Sequence, residues 1–382
     1  MNVSKWLGVM LLSVLLLFTA SCANTSVQER DSDNTKKVTK NETKNTRAVE
    51  TGNKTLPNVK VLATGGTIAG ASSDDTDTTG YKSGSLGIDK IIESVPQLKN
   101  VANVSGEQVS NVGSENVDNA LLLKLAKRVN SLLKDDDVDG VVITHGTDTL
   151  EETAYFLNLV VHSEKPVVIV GSMRPATAIS ADGPLNLYQA VKIASTKEAK
   201  GKGVMVTLND RIGSARFITK TNTTTTDSFK SLEQGYMGEI TGEVVSFYNE
   251  PTRKHTTESE FNVSQLKELP QVDILYAYQN DQKYLYDATV KAGVKGIVVA
   301  GVGNGTMSTE AIKGAKDAVK KGIAVVRSSR VGNGIVTHEQ MDDENHFVSS
   351  DSLNPQKARI LLMLALTKTK DPEKIQTYFE KY

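Results

Sequence analysis

The 382-residue chain is long enough for two or three domains. With 38% hydrophobic and 23% charged residues, it has the composition of a soluble globular protein. Its 44 basic and 45 acidic side chains nearly balance, which argues against electrostatic capture of nucleic acid. No two of its five His have metal-ligand spacing, so no metal site is expected.

Residues 1–22 have the pattern of an export signal. Lys5 precedes an apolar run over residues 6–18, which is short for a membrane span and is followed by small residues. Because the single cysteine, Cys22, comes just after this run, the sequence predicts a lipoprotein signal and a lipid anchor on Cys22. Ordinary cleavage near Cys22 stays open, since Thr19 stands where such signals usually carry Leu. Either route predicts a periplasmic or cell-envelope protein.

Residues 23–55 are predicted to be a disordered tether. They hold only five apolar side chains among many Asn, Thr, Ser, Lys and Asp, so they cannot bury enough surface to offset the entropy of ordering. A flexible segment of this kind would connect a membrane anchor to a catalytic body.

From residue 56 onward, short apolar strands alternate with amphipathic helices, as in a parallel sheet covered on both faces. An N-terminal catalytic domain is predicted over 56–247. Its expected strands are 59–63, 138–143, 166–171 and 203–208. Its expected helices are 118–133 and 150–162, and in the first of them apolar residues recur at helical spacing.

A polar stretch over 248–268 is predicted to be a linker to a C-terminal α/β domain over 269–382. The expected strands of this domain are 272–277, 296–300 and 322–327, and its expected helices are 283–292, 308–320 and 355–368. The last helix opens with Asn354-Pro355, a capping residue followed by Pro at the first helical position. The chain is therefore expected to have a two-domain α/β fold whose larger, mostly parallel sheet is N-terminal.

Two of the predicted buried strands are each followed by a threonine-bearing motif. Ala63–Gly70 reads ATGGTIAG, and Thr144–Thr149 reads THGTDT. Hydroxyls at the carboxyl ends of neighbouring strands lie where open α/β sheets bind their ligands, which favours nucleophilic chemistry at Thr67 and Thr147. For the first motif alone, a plain turn capped by Thr67 is an equally good explanation.

The second motif has a structural explanation and a chemical one. Asp148 with Glu151, or Thr149 with Glu152, has the spacing of a helix-capping box. Alternatively, a buried Lys near Asp148 could accept the proton of a threonine hydroxyl, because desolvation lowers the pKa of a lysine. Lys220, in a Thr-rich segment, is the candidate, although a lysine of this kind is more often a surface charge.

A loop over 71–87 follows the first motif and contains a single aromatic residue, Tyr81. Loops of this length are commonly lids, and closure would carry the Tyr81 hydroxyl to Thr67. An exposed Tyr on a mobile loop is the other interpretation.

Ser114 and Glu115 precede the predicted helix 118–133. Unpaired N–H groups at a helix N-terminus attract a carboxylate, and Glu115 could hold an ammonium. Carboxylate beside ammonium describes the head of a free amino acid, although a helix cap explains the pair equally well.

Taken together, these residues closely resemble the type II bacterial L-asparaginases, especially the glutaminase-asparaginase branch. The resemblance covers essentially all of residues 56–382. It is carried by Ala63–Gly70, Gly113–Glu115, Thr144–Ala154, Met173–Pro175, Ser180–Pro184, Thr219–Thr223, Gly301–Gly305, Arg327–Arg330 and Leu353–Pro355.

The resemblance implies hydrolysis of L-asparagine to L-aspartate and ammonia, with no metal or organic cofactor. It implies that Thr67 is the nucleophile with Tyr81 beside it. A second catalytic group follows on the same grounds: Thr147, Asp148 and Lys220. The α-carboxylate and α-amino groups of the substrate would be bound by Ser114, Glu115 and Asp148. The family assembles as a homotetramer of intimate dimers, in which a neighbour's C-terminal domain completes each site.

Some positions depart from the commonest family pattern. Glu115 stands where many members have Gln, and Thr306 and Ser308 stand where Asn and Tyr are often found. Smaller side chains there would leave room for one more methylene, so L-glutamine is an expected second substrate. The acidic residue supplied across the dimer is assigned to Glu339, with Glu344 as the alternative.

Two rival functions are considered. A lipid-anchored periplasmic amino-acid-binding protein would share the export signal, the tether and the two-domain form, but would need no Thr-Asp-Lys group. A different amidohydrolase on the same scaffold would act on a larger amide, against which the Ser114-Glu115 pair argues.

Overall fold

The computed structural model of the chain describes residues 56–382. The predicted signal over 1–22, with Cys22, and the predicted tether over 23–55 lie outside the described residues. The described part contains an eight-stranded sheet, a four-stranded sheet and a two-stranded ribbon. None of its helices has the length and apolar composition to cross a membrane.

The eight-stranded sheet is parallel through its first five strands and antiparallel at one edge. The parallel strands are β1 (Asn58–Gly65), β2 (Asn103–Val112), β3 (Gly140–Thr144), β4 (Val167–Val170) and β5 (Val204–Leu208). The chain continues with β6 (Arg211–Ser214), the separate ribbon of β7 (Thr219–Lys220) and β8 (Phe229–Lys230), and the edge strands β9 (Gly238–Thr241) and β10 (Val244–Phe247). The spatial order is β10-β9-β6-β5-β4-β3-β1-β2.

Helices cover both faces of this sheet, which is why its central strands are apolar throughout. The helices are α1 (Ile88–Glu93), α2 (Asn119–Leu133), α3 (Leu150–Val160) and α4 (Gly183–Ala194). Successive residues of β1 point to opposite faces: Val61 joins the cluster with α1 and α4, and Leu62 joins the cluster with α2 and α3. Burial of each such side chain contributes about 1.5–3 kcal/mol.

The strand order creates a crevice between β1 and β3. The chain passes from β1 to β2 on one side and returns to β3 on the other side of β1. At such a point, the connections that follow two neighbouring strands run in opposite directions. They leave a crevice at the carboxyl ends of the strands, and sheets of this kind bind ligands there. Ala63 of β1 is paired with Thr144 of β3, so the segments that follow these residues leave the sheet side by side.

The C-terminal sheet is parallel and smaller. Its strands, in spatial and chain order, are β11 (Val272–Tyr276), β12 (Gly296–Gly301), β13 (Ala324–Ser329) and β14 (Phe347–Ser349). Its helices are α5 (Tyr284–Lys291), α6 (Thr309–Lys320), α7 (Gln340–Asn345), α8 (Pro355–Ala365) and α9 (Pro372–Lys381). α8 packs against α3, so one continuous apolar core joins the two sheets.

The segment 248–268 is a packed connection between the sheets. It contains no strand and one single-turn helix, Thr256–Glu258. Phe261 is 1% exposed, and its ring centre lies 5.1 Å from the ring centres of Tyr378 and Tyr382. The exact domain boundaries predicted at 247, 268 and 269 stay predictions.

All seven expected strands and all five expected helices are present, with ends within three residues of the predicted ones. Other elements, among them β2, α4 and α9, were not predicted from the sequence. β2 is largely polar, because it is an edge strand whose outer side chains meet solvent. α9 follows Asp371-Pro372, the same cap-and-Pro signal as at Asn354, so that signal could have been used again.

Candidate active site

The backbone segments that follow β1 and β3 are in close contact. A Cβ atom added to Gly66 would lie 2.2 Å from the Cα atom of Gly146, and Gly66 has a φ of +78°. Only glycine fits here, because a side chain would collide with the neighbouring backbone and the positive φ disfavours other L-residues. This contact brings together the two segments that carry Thr67 and Thr147.

Thr67 is paired with Tyr81 through their hydroxyl groups. The two oxygen atoms lie 2.6 Å apart, and Thr67 is only 5% exposed. The Tyr81 ring lies against Gly70, where an added Cβ atom would come 2.8 Å from the ring. The single-turn helix Thr67–Ala69 is preceded by Gly66 and has no side-chain cap, so the explanation of Thr67 as a turn cap is wrong.

The loop that carries Tyr81 is held in a closed form. Ala71 and Lys82 exchange backbone hydrogen bonds of 3.2 and 3.0 Å, which join the two ends of the loop. The N–H of Ser72 donates to Thr177 Oγ1 at 2.9 Å and fastens the loop to the segment after β4. Tyr81 is therefore half-buried and directed to Thr67, not exposed on a free loop.

Lys220 joins the second motif as its third member. Its Nζ atom donates to Thr147 Oγ1 at 2.9 Å and to Asp148 Oδ1 at 2.6 Å. The Lys220 side chain is only 16% exposed, so its interpretation as a surface charge is wrong. The Asp148 side chain is 63% exposed, which leaves its carboxylate accessible to a ligand.

Ser114 lies beside the same motif. Its Oγ atom accepts from the N–H groups of Asp148 at 3.1 Å and Thr149 at 3.4 Å. The Thr149 hydroxyl donates to the Ser114 carbonyl at 2.7 Å and locks the two segments together. Since the Ser114 hydroxyl only accepts in these bonds, its proton can be donated to a ligand. Glu115 next to it is exposed.

The helix-capping explanations are wrong for both segments. α2 is capped by Asp118, whose carboxylate accepts from the Leu121 N–H at 2.8 Å. α3 follows Thr149 without any side-chain cap. The N-termini of these two helices are therefore not capped by Ser114, by Glu115 or by the side chains of the second motif.

His145, the second residue of this motif, is almost completely buried. Its Nδ1 atom lies 2.8 Å from the Gly146 carbonyl and its Nε2 atom lies 3.0 Å from Thr153 Oγ1. Nδ1 must therefore carry the proton, and Nε2 accepts from the threonine hydroxyl. Burial lowers the pKa of His145 to about 4, so the ring is a neutral support of the motif.

Comparison with known proteins identifies the family of the chain. Residues 58–253 match the family described as "Asparaginase, N-terminal", and residues 271–379 match the "Glutaminase/Asparaginase C-terminal domain". The chain belongs to the asparaginase family. The family predicted from the motifs is thereby confirmed, and so is the two-domain asparaginase fold with its larger N-terminal sheet.

Individual asparaginases are similar to the chain over most of its length. It is 62% identical to L-asparaginase 2 of Bacillus subtilis over 98% of this chain and 99% of that protein. It is 47% identical to the glutaminase-asparaginase of Pseudomonas fluorescens biotype A over 88% and 93% of the two chains. A crystal structure of a probable cytoplasmic L-asparaginase from Campylobacter jejuni superimposes with a TM-score of 0.84, at 51% identity over 85% and 100% of the chains.

The structure places the other predicted asparaginase residues in the C-terminal half. Glu339 precedes α7, caps it and accepts from Asn304 Nδ2 at 2.9 Å. Glu344 accepts from Gln340 within α7. Ser308 caps α6 through the Ala311 N–H, and Thr306 pairs with Val302. The contacts of Glu339 and Glu344 are to neighbours in their own half.

A buried ion pair shapes the loops around Glu339. Arg327 and Asp342 are 1% and 0% exposed, and the Arg327 Nε atom donates to Asp342 Oδ1 at 2.5 Å. Arg327 also donates to the carbonyls of Asn304 and Thr337, at 3.1 and 3.0 Å. The Arg327–Arg330 motif of the sequence therefore supports a loop conformation.

Two charged residues next to the site, Glu151 and Lys357, were not predicted from the sequence to belong to it, and Glu151 was considered only as a capping-box partner of Asp148. Glu151 and Lys357 are both almost completely buried, and Glu151 lies in the first turn of α3 directly after the second motif. The available signal was a lysine in the first turn of α8, shortly before the apolar run of that helix. No group of three or more His, Cys, Asp or Glu side chains within 56–382 is arranged to hold a metal ion.

Proposed function

We propose that this protein hydrolyses the side-chain amide of L-asparagine to L-aspartate and ammonia through a threonine nucleophile. The observation that carries the proposal is the contact between Gly66 and Gly146, which brings the Thr67–Tyr81 pair beside the Thr147–Asp148–Lys220 group. Two hydroxyls with separate proton-transfer partners fit a reaction with two acyl-transfer steps.

In the first step, Thr67 Oγ1 attacks the amide carbon while its proton passes to the Tyr81 oxygen, and Tyr81 passes its own hydroxyl proton on to the amide nitrogen. Backbone N–H groups at the two strand ends stabilise the oxyanion, at about 3 kcal/mol per donor. The carbon–nitrogen bond then breaks, and ammonia departs from a Thr67 ester.

In the second step, water attacks the ester carbon. The proton that the water loses is transferred through Thr147, whose hydroxyl is hydrogen-bonded to Lys220. The bond to Thr67 Oγ1 breaks, that oxygen regains a proton, and L-aspartate is released.

The amino-acid head of the substrate is bound by three side chains. The Ser114 hydroxyl donates to the α-carboxylate, since its oxygen already accepts from two backbone N–H groups. Asp148 and Glu115 take the α-ammonium, and the exposed carboxylate of Asp148 is accessible for this contact. A site with this donor and acceptor pattern discriminates against amides that lack a free amino-acid head.

L-Glutamine is a second substrate in this proposal. Glu115, Thr306 and Ser308 support it, together with the similarity to a protein named glutaminase-asparaginase. Ammonia release from both amides at equal concentration is the direct measurement. Negligible turnover of glutamine would contradict this part of the proposal and leave asparagine hydrolysis intact.

Substitution of the nucleophile tests the mechanism. Thr67→Ala is expected to reduce kcat for L-asparagine at least about a thousandfold, which is typical of a lost nucleophile. The matched control is Thr207→Val, since Thr207 is a buried threonine of β5 whose hydroxyl has no hydrogen-bond partner among residues 56–382. An active Thr67→Ala enzyme would refute the assignment. Tight asparagine binding by the wild-type protein without ammonia release would favour an amino-acid-binding protein instead.

The proposed assembly is a homotetramer in which a neighbour completes each site with Glu339. Glu339→Gln is expected to raise KM for L-asparagine at least about fivefold, because it removes one carboxylate from around the ammonium. If Glu339 only caps α7, the substitution will lower the melting temperature and leave KM unchanged. Light scattering of the wild-type protein measures the assembly independently.

The proposed location is the cell envelope, through a lipid anchor on Cys22. The match to the Bacillus subtilis protein supports a shared N-terminal region, since it covers 98% of this chain. In a bacterial host, Cys22→Ser is expected to move the activity from the membrane fraction to the soluble fraction. Equal distribution of both forms would contradict the anchor.

A further inference from the structure

Lys357 lies in the first turn of α8, yet its ammonium group is buried. The side chain is only 2% exposed. Its Nζ atom donates to the backbone carbonyls of Arg216 at 2.9 Å and Ile218 at 2.5 Å, and it lies 3.8 Å from Glu151 Oε2. A buried charge is costly unless it is paired and hydrogen-bonded. The three contacts offset that cost and tie Lys357 to these partners.

The partners of Lys357 belong to the two segments that carry the second catalytic group. Ile218 lies two residues before Lys220, and Glu151 lies three residues after Asp148. One ammonium of the C-terminal half therefore contacts both sides of the Thr147–Asp148–Lys220 group without touching any of its three side chains.

Neighbouring contacts restrict the same segments. The Glu151 carboxylate accepts from Asn354 Nδ2 at 3.4 Å and Gln356 Nε2 at 3.2 Å, so the start of α8 surrounds it with donors. The Arg216 side chain is 4% exposed and donates to Ser352 Oγ at 2.8 Å. The segment 216–218, which leads into the strand that carries Lys220, is thus anchored to the C-terminal half through its main chain and through the Arg216 side chain.

We propose that Lys357 is a positioning residue for the reaction: it holds the segment 216–218 and the start of α3 at the spacing that lets Lys220 reach Thr147 and Asp148. The inference rests on the catalytic role proposed above for this group. Misplacement of a catalytic side chain by about 1 Å can cost on the order of a hundredfold in rate. Loss of Lys357 should therefore be visible in kcat as well as in stability.

A double-mutant cycle separates positioning from a purely structural role. Lys357→Met keeps the length of the side chain and removes its charge and donors. It is expected to lower kcat for L-asparagine about 10- to 100-fold, with KM changed less than about threefold. In a Lys220→Met background, the same substitution is expected to lower kcat by no more than about twofold, because the effect passes through Lys220.

The matched control is Arg359→Met. Arg359 also lies on α8 and also reaches α3, where its Nη1 atom is 3.5 Å from Glu152 Oε2, but it makes no hydrogen bond to the segment 216–220. Its replacement is expected to lower the melting temperature and leave kcat unchanged. Should Lys357→Met fail to fold, Glu151→Gln removes the counter-charge while keeping the side-chain shape. A smaller loss of kcat is then expected, again absent in the Lys220→Met background.

An unchanged kcat in both Lys357→Met and Glu151→Gln, or losses that multiply with that of Lys220→Met, would overturn the positioning role. The result of this double-mutant cycle does not depend on which residue is the nucleophile. An inactive Thr67→Ala enzyme together with a fully active Lys357→Met enzyme would therefore refute this inference alone, whereas an active Thr67→Ala enzyme would refute the proposed nucleophile alone.

Discussion

The side chains of the site are held by short, specific contacts before any substrate arrives. The hydroxyls of Thr67 and Tyr81 are 2.6 Å apart, and Lys220 is within 2.9 Å of Thr147. Such pre-organisation lowers the reorganisation that the transition state requires.

Tyr81→Phe is expected to lower kcat for L-asparagine about 100-fold or more, because the partner that receives the Thr67 proton is lost. KM should change less than kcat. The control is Tyr188→Phe, which removes a hydroxyl on α4 that donates to Glu243, in the turn between β9 and β10, at 3.0 Å. Wild-type kcat in Tyr81→Phe would show that the tyrosine oxygen has no part in the reaction.

His145 is expected to make the protein acid-sensitive. Its pKa is about 4 in the folded protein and about 6.5 in an unfolded chain, so the unfolded chain binds the proton first as the pH falls. The free energy of unfolding should therefore decrease by about 3 kcal/mol between pH 6.5 and pH 4. His145→Gln should lack this contribution.

Urea unfolding of the wild type and His145→Gln across this pH range measures the effect as a difference. The difference isolates His145, because the carboxyl of Glu152, whose pKa burial raises to about 7, titrates in both proteins. Parallel pH profiles for the two proteins would contradict the prediction.

At the scale of secondary-structure elements, the site depends on how closely the ends of β1 and β3 approach. Their register pairs Ala63 with Thr144, and the glycines that follow let the two backbones touch. Each strand is followed by only one of the two threonine-bearing motifs, so the site needs both strands. The crevice exists because β1 is flanked by β2 on one side and β3 on the other.

Gly66→Ala is expected to destabilise the fold by about 2–5 kcal/mol, since the added methyl group overlaps the Gly146 backbone and the φ is positive. Gly201→Ala is the control: its φ is +72°, but no atom lies within 4 Å of the added Cβ. That substitution should cost only about 1 kcal/mol of backbone strain. Equal losses of unfolding free energy for the two variants would show that the contact between Gly66 and Gly146 leaves room for a methyl group.

At the scale of the whole molecule, the two sheets share one core. Residues of α3, α8 and α9 form a single apolar cluster with residues of both sheets, and the packed segment 248–268 contributes Phe261 to it. Buried polar contacts such as those of Lys357 and Arg216 cross between the halves. We therefore expect the two halves to unfold together.

The protein is expected to unfold in a single thermal transition, because separation of the halves would expose this shared core. Differential scanning calorimetry and loss of asparaginase activity should give the same midpoint. Two resolved transitions, or activity lost well before the main heat absorption, would contradict a common core.

The family, the two-sheet fold and the elements that carry Thr67 and Thr147 could all be predicted from the sequence. These features have local signals, because buried parallel strands are apolar runs and the motifs directly follow them. It also singled out Tyr81, Lys220 and Ser114, whose contacts the structure supplies. Elements with weaker signals, such as the polar edge strand β2, were missed because exposed positions constrain residue type less.

The choice between the alternatives for each motif needed the folded structure, and so did the placement of Lys357 and Glu151 next to the proposed catalytic group. Thr67 and Tyr81 are 14 residues apart, but Lys357 and Ile218 are 139 residues apart. No spacing rule links residues at that separation. Their contact follows from the packing of α8 against α3, which depends on the shape of the core that the whole chain forms.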